Sequence, residues 1–450
     1  MSEAGFGRDL TEGNVTKQLI SFAFPFFVSQ ILQATYSMAD MLLAGIFMGD
    51  HGIAAINNSS VVIMLITMLV NGFSLSGTVL VAQYVGAKKP EDASKTIGTL
   101  FKVFIYAGIV MTIVGQLITG KILVLLNTPP ESIAEAEKYL RICFTGTLFI
   151  CGYNAVSAVL RGLGDSKKPL YYVAIAAAIN IVLDILFMGV FKWGAAGAAI
   201  ATIMAQGIAF SLAVYNLYRN NFIFDFKPKS FVIHKEKLGA ILKIGLPAAI
   251  QSTIVNFSML FVITTINGYG LYASTTAGIG GKIDSYAILP VIAISHSVAS
   301  MVGQNLGAGR IDRAKQTVFA GMRISIAFGV LMYGFVSIFG MQIGEMFKCS
   351  EETLEVVVMY TKYVSIGYMA NAVVFVMNGL ATGSGNAWFS LLNAFTNVVV
   401  SRLFFIWLFE SVFEMGLFGV FLGMGVGQYA GILTSCLFYF SKRWQRSIVR

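Results

Sequence analysis

The chain has 450 residues, of which 56% are hydrophobic and 12% charged, and it carries a net charge of +9. Its mean hydropathy is +0.76. A soluble domain has about 25% charged residues, so a set of water-soluble cores is excluded. Long apolar runs without period-two alternation also exclude a β-barrel, leaving a polytopic α-helical membrane protein.

The start, Met1 to Thr16, is polar, and the first apolar run is too long for a cleavable signal core. In chain order, the runs predict twelve spans: 17–47, 53–82, 95–125, 138–161, 169–191, 195–218, 238–265, 277–303, 314–342, 356–381, 388–411 and 416–440. Each reaches the roughly 20 residues that cross a bilayer, and the longer ones are expected to tilt or to run past the membrane surface. Cys143, Cys151, Cys349 and Cys436 have no metal or redox spacing and read as small fillers.

The basic residues fall in alternate loops, which argues against a nucleic-acid surface. Lys88, Lys89 and Lys95 follow span 2, and Arg161, Lys167 and Lys168 follow span 4. Arg219, Lys227, Lys229, Lys235 and Lys237 lie between spans 6 and 7, and Arg310, Arg313 and Lys315 between 8 and 9. Lys442, Arg443, Arg446 and Arg450 form the tail. The positive-inside rule then places both termini in the cytoplasm.

The two halves repeat. VAQYVGAK from Val81 returns as VGQNLGAG from Val302, Arg161-Gly-Leu-Gly-Asp165 as Thr382-Gly-Ser-Gly-Asn386, and Pro25 as Pro247. Six spans per half give both halves one orientation, hence a parallel repeat about an axis along the membrane normal. Domains are expected at 1–220 and 238–450, with a cytoplasmic linker at 221–237. Transporters of this build bind substrate between the halves and alternate access by rocking.

Two acidic residues of the first half, Asp40 and Asp184, lie well inside predicted spans. A carboxylate in hydrocarbon is costly and marks an ion or substrate pathway by default. Counting from the outer loops at ~1.5 Å per residue puts Asp40, Asp184 and Thr202 roughly 12–15 Å below the outer surface. Asn180 lies one turn deeper than Asp184 on the same helix face, and Asn154 of span 4 falls at a similar depth to Asn180. Two carboxylates, amide oxygens and a hydroxyl are hard ligands that suit a small cation such as Na⁺. The same carboxylates can hold a proton instead, and would then titrate as a pair.

The repeated segments, with LRGLGDSKKP after span 4 and GIGGKIDSYAILP in span 8, resemble the MATE (multidrug and toxic compound extrusion) family over essentially the whole chain. The resemblance implies a V-shaped exporter with two six-helix lobes, no enzyme activity, and exchange of Na⁺ or H⁺ for organic, often cationic, compounds. It also implies, by similarity to DinF-like members, that Asp40, Asn154, Asn180, Asp184 and Thr202 form the cation site. NorM-like members carry further carboxylates on helices 7 and 10. Here those stretches offer Gln251, Asn256, Asn371 and Asn378, so a second-lobe coupling site is not implied.

Gln33, Tyr36, Gln206, Gln251, Asn256, Lys282, Asp284, Asn371 and Arg402 are candidates to line a substrate cavity or to pack. Lys282 and Asp284 pair with each other or reach separate partners, in a structural or gating role. Arg402 meets a substrate anion, or Asp284, or ties helices together. Pro25 lacks a backbone donor and should weaken or bend span 1 around Ser21, a hinge on the helix that carries Asp40. No Gly-x-x-x-x-Gly-Lys-Ser/Thr phosphate loop occurs, so ATP is not expected as the energy source, and no cofactor or nucleic acid is expected. The expected unit is a monomer in the bilayer. A flippase of lipid-linked precursors would want a more cationic cavity than Lys282 and Arg402 supply. A dedicated exporter of one metabolite would look the same in sequence.

Overall fold

In hydrocarbon every backbone group must bond within its own segment, which makes each apolar run a helix. The computed structural model describes residues 8–219 and 222–449. Asn220 and Asn221, at the edge of the expected linker, and Arg450 of the tail lie outside the described residues. Among those described there is no strand. The spans are α1 Val15–Gly49, α2 His51–Gly86, α3 Pro90–Leu125, α4 (Pro130–Thr145 with Thr147–Gly162), α5 Lys167–Val190 and α6 Gly194–Arg219. They continue as α7 Lys235–Asn267, α8 Leu271–Gly307, α9 Ile311–Met346, α10 (Glu351–Val364 with Gly367–Gly383), α11 Ala387–Val412 and α12 Gly416–Phe440. Bends of 47° and 44° interrupt α4 and α10.

Several helices begin earlier than their apolar runs. α4 starts at Pro130, with Glu131 in its first turn. α10 starts after Ser350, whose hydroxyl accepts from the Thr353 amide. Proline at the first position, early acidic residues and a serine cap all suit helix N-termini, so polar residues extend the span outward. Between α1 and α2 the expected loop shrinks to one non-helical residue, Gly49, at φ 68°. Its missing Cβ permits that left-handed backbone. α1 runs helically through Pro25, and Ser29 donates to the Pro25 carbonyl at 2.8 Å.

The helices form two compact units. One comprises the segment ending at Asp9 together with Phe24–Leu242, and the other Leu10–Ala23 together with the chain from Lys243 onward. Each unit thus contains the segment leading into the first helix of the other half. The repeated motif explains this within each unit. In the second, Gln304 accepts from the Leu10 amide at 2.9 Å, and Arg310 donates to the Thr11 carbonyl at 2.7 Å. Arg313 donates to the Gly13 carbonyl and to Gln18, both at 2.7 Å. Leu10, Leu19 and Phe22 then pack with Val298, Met301 and Leu380.

In the first unit, Lys237 is 5% exposed and donates to Tyr84 and Asp92, both at 2.7 Å. The linker is held by aromatic packing: Phe224 stands edge-on to Phe101, Phe226 and Phe231. Gly98 leaves room for this, because a Cβ there would collide with the Ser230 carbonyl. Phe224→Ala is therefore expected to destabilise the first unit by about 3–5 kcal/mol. A lower thermal midpoint in detergent would register it, and an unchanged midpoint would show that the linker is held elsewhere.

Candidate functional site

The polar cluster of the first unit is assembled from α1, α4, α5 and α6. α5 is α-helical to Asp184 and then widens into a π-helix at Ile185–Val190. The Phe191 amide bonds back to the Leu186 carbonyl at 2.9 Å. Single π-turns inside helices are frequent at functional sites. Asn180 and Asp184 lie one turn apart and are 2% and 0% exposed, and Asp40 of α1 is 6% exposed.

The Asp40 and Asp184 carboxyls face each other, with Asn180 beside Asp40. Asp40 Oδ1, both Asp184 oxygens and both polar atoms of the Asn180 amide are nevertheless buried without a hydrogen-bond partner. Orphaned buried polar groups are costly and rare, so this set is built for something that bonds to it. Two carboxylates with an amide oxygen fit a proton or a small hard cation. Among the described residues no three His, Cys, Asp or Glu side chains converge.

The other two members of the expected set bond to their own helices. Asn154 donates to the Ile150 carbonyl at 2.8 Å, and Thr202 to the Ala198 carbonyl at 3.0 Å. Those bonds use one hydrogen of each side chain and leave the oxygen lone pairs to accept or ligate. Tyr36, one turn before Asp40, lies near Gln206 and Tyr153. Gln33 is half-buried on the same helix.

Tyr139 and Cys143 of α4 were not expected here. The Tyr139 phenol lies within reach of the fields of both carboxylates and beside the Cys143 thiol. The signal was present: Tyr139 and Cys143 are one turn apart on the buried face of Pro130–Thr145, with Ser132, Ala136 and Leu140. Cys151 is also a buried filler, whereas Cys436 is exposed on α12.

In the second unit, Asp284 and Lys282 part company. Asp284 accepts from Tyr360 on one oxygen and Tyr368 on the other, each at 2.6 Å. Arg402 exerts the opposing charge on that carboxylate, although its buried Nε has no hydrogen-bond partner. Arg402 follows a π-helical stretch, Phe395–Ser401, in α11. Lys282 is exposed. Asn256 donates to the Ser252 carbonyl at 2.8 Å, and Asn378 accepts from Asn393 at 3.1 Å. Gln251 and Asn371 are half-buried.

The two-fold repeat decides the family. The sequence profile of the MatE family matches twice, over residues 25–186 and 247–408, one copy on each half. The chain belongs to the MATE family. It is 31% identical over 448 residues to the probable multidrug resistance protein YpnP of Bacillus subtilis (strain 168), covering 97% of each chain. It is 24% identical over 447 residues to the probable multidrug resistance protein NorM of Thermotoga maritima, covering 97% of this chain and 94% of the relative. A solved structure described as the outward-facing conformation of a multidrug resistance MATE family transporter shares the fold with a TM-score of 0.91, at 20% identity over 98% of each chain. This MATE protein is thus a multi-pass membrane transport protein, and not an enzyme.

Proposed function

We propose that this MATE protein exports organic compounds, often cationic, in exchange for inward movement of H⁺ or Na⁺. The observation that carries the proposal is the group of unpartnered polar atoms on Asp40, Asn180 and Asp184. An ion or proton entering from outside satisfies them, and its loss to the cytoplasm returns them to the costly orphaned state. Asn154 and Thr202 supply further oxygens when their side chains turn inward, and Tyr36 and Gln206 neighbour the site. Na⁺, if it is the coupling ion, is held by Asp40, Asn180, Asp184 and Thr202.

The basic loops favour cytoplasmic termini in an inner membrane. The parallel repeat favours alternating access by rocking of the halves, which we assign to a monomer that works without ATP. Pro25, on the helix that carries Asp40, is the proposed hinge, and Pro25→Ala is expected to lower coupled transport. Full coupled transport in that variant would remove the hinge role.

The test is release of ethidium from proteoliposomes under an imposed Na⁺ gradient, an imposed pH gradient or neither. Release driven by one gradient supports the exchange and names the ion. Equal release without a gradient contradicts it.

A further inference from the structure

A cavity of about 850 Å³ lies in the second unit, outside the cluster around Asp284. Its walls include Lys243 of α7, Ser384 and Asn386 of the turn between α10 and α11, and Lys442, Arg443 and Arg446 after α12. Among the described residues no carboxylate lines it. None of the four cations takes part in an ion pair among the described residues.

Positive charge alone at this end of the helices is expected, because basic residues orient membrane proteins. That explanation needs charges in the segment but not their convergence on one cavity. Here the tail backbone is fixed. Trp444 is 1% exposed, stacks on Tyr439 and donates from Nε1 to the Tyr439 carbonyl at 2.9 Å. Ile448 packs against Gly385, where φ is +83° and a Cβ would overlap the Ile448 side chain. Val449 is buried. The anchored tail therefore holds its cations around the cavity, where no carboxylate among the described residues offsets their mutual repulsion.

Guanidinium forks, ammonium groups and hydroxyl donors are the groups that recognise phosphate. We propose that this pocket binds a phosphate-bearing anion, either the headgroup of an anionic phospholipid or a soluble phosphate compound. The site is independent of the coupling site in the first unit, and the inference does not rest on the transport reading.

Native mass spectrometry of the delipidated full chain would test it, by titration with phosphatidylglycerol, phosphatidylcholine and inorganic pyrophosphate. Wild type is expected to retain phosphatidylglycerol or pyrophosphate in preference to phosphatidylcholine. Arg443→Gln with Arg446→Gln should weaken that binding by about tenfold or more, since two charge-assisted bonds are lost. Arg443→Lys with Arg446→Lys should keep most of it. Lys88→Gln with Lys95→Gln, exposed basics of the other unit, should leave it unchanged. Binding of phosphatidylglycerol alone makes the ligand a lipid, whereas displacement by pyrophosphate makes it the phosphate itself. Binding of neither, or an equal loss in the Lys88 and Lys95 variant, would overturn the proposal.

Discussion

Asp184→Asn is expected to abolish gradient-driven efflux while leaving the protein at least as thermally stable as wild type. Both Asp184 oxygens are buried without partners, so the native carboxylate is a liability to the fold. The amide has nearly the same shape and removes the charge. It also removes the group that binds the ion. Losing one partner of a buried charge interaction costs about 3–5 kcal/mol, or roughly 100-fold or more in ion affinity. Asp40→Asn should act alike, because its carboxyl faces that of Asp184. Dye efflux from proteoliposomes reads the loss, and a thermal melt of the same preparation shows that the fold survives. Wild-type efflux from either variant would remove the pair from the coupling role. A stability gain with lost transport is the signature of residues kept for function.

That pair was legible in the sequence for a plain reason. Charges inside spans are rare, so Asp40 and Asp184 stand out, and the i, i+4 rule places Asn180 next to Asp184 without any structure. The spans themselves are encoded by length and apolarity. What sequence did not carry is the choice each side chain makes once helices pack. Asn154 and Thr202 have the right depth, but each can bond its own carbonyl four residues back or reach a neighbouring helix. Rotamer and helix spacing decide between these, and in the structure the local bonds win.

The exchange of leading segments was hidden for a related reason. The repeated Gln-containing motifs were visible as a duplication, but the use of Gln304 to hold Leu10 depends on a contact between residues nearly three hundred positions apart. The π-helical stretches in α5 and α11 were equally silent, because an α-to-π change leaves hydrophobic periodicity almost untouched.

The second large effect is expected at Asp284. Its carboxylate is bonded by Tyr360 and Tyr368, which stand on opposite sides of the bend in α10. One side chain of α8 thereby ties both segments of a broken helix, and Arg402 supplies the compensating charge. Asp284→Ala removes two charge-assisted hydrogen bonds and strands the Arg402 guanidinium. The expected cost is about 3–5 kcal/mol, seen as a lower thermal midpoint and a lower yield of folded protein. Tyr368→Phe should cost about 1.5–3 kcal/mol, the usual range for a bond to a charged group.

Arg402→Gln should be milder, because both tyrosines still serve the carboxylate. Combining it with Asp284→Ala should restore part of the loss, with a coupling of about 1–3 kcal/mol in the double-mutant cycle. Additive losses would mean that Arg402 and Asp284 act separately, which would return Arg402 to the role of a free cation able to meet a substrate anion. A strong coupling with transport unchanged in Arg402→Gln would make the cluster a structural tie, and would leave the first unit as the sole carrier of the coupling ion.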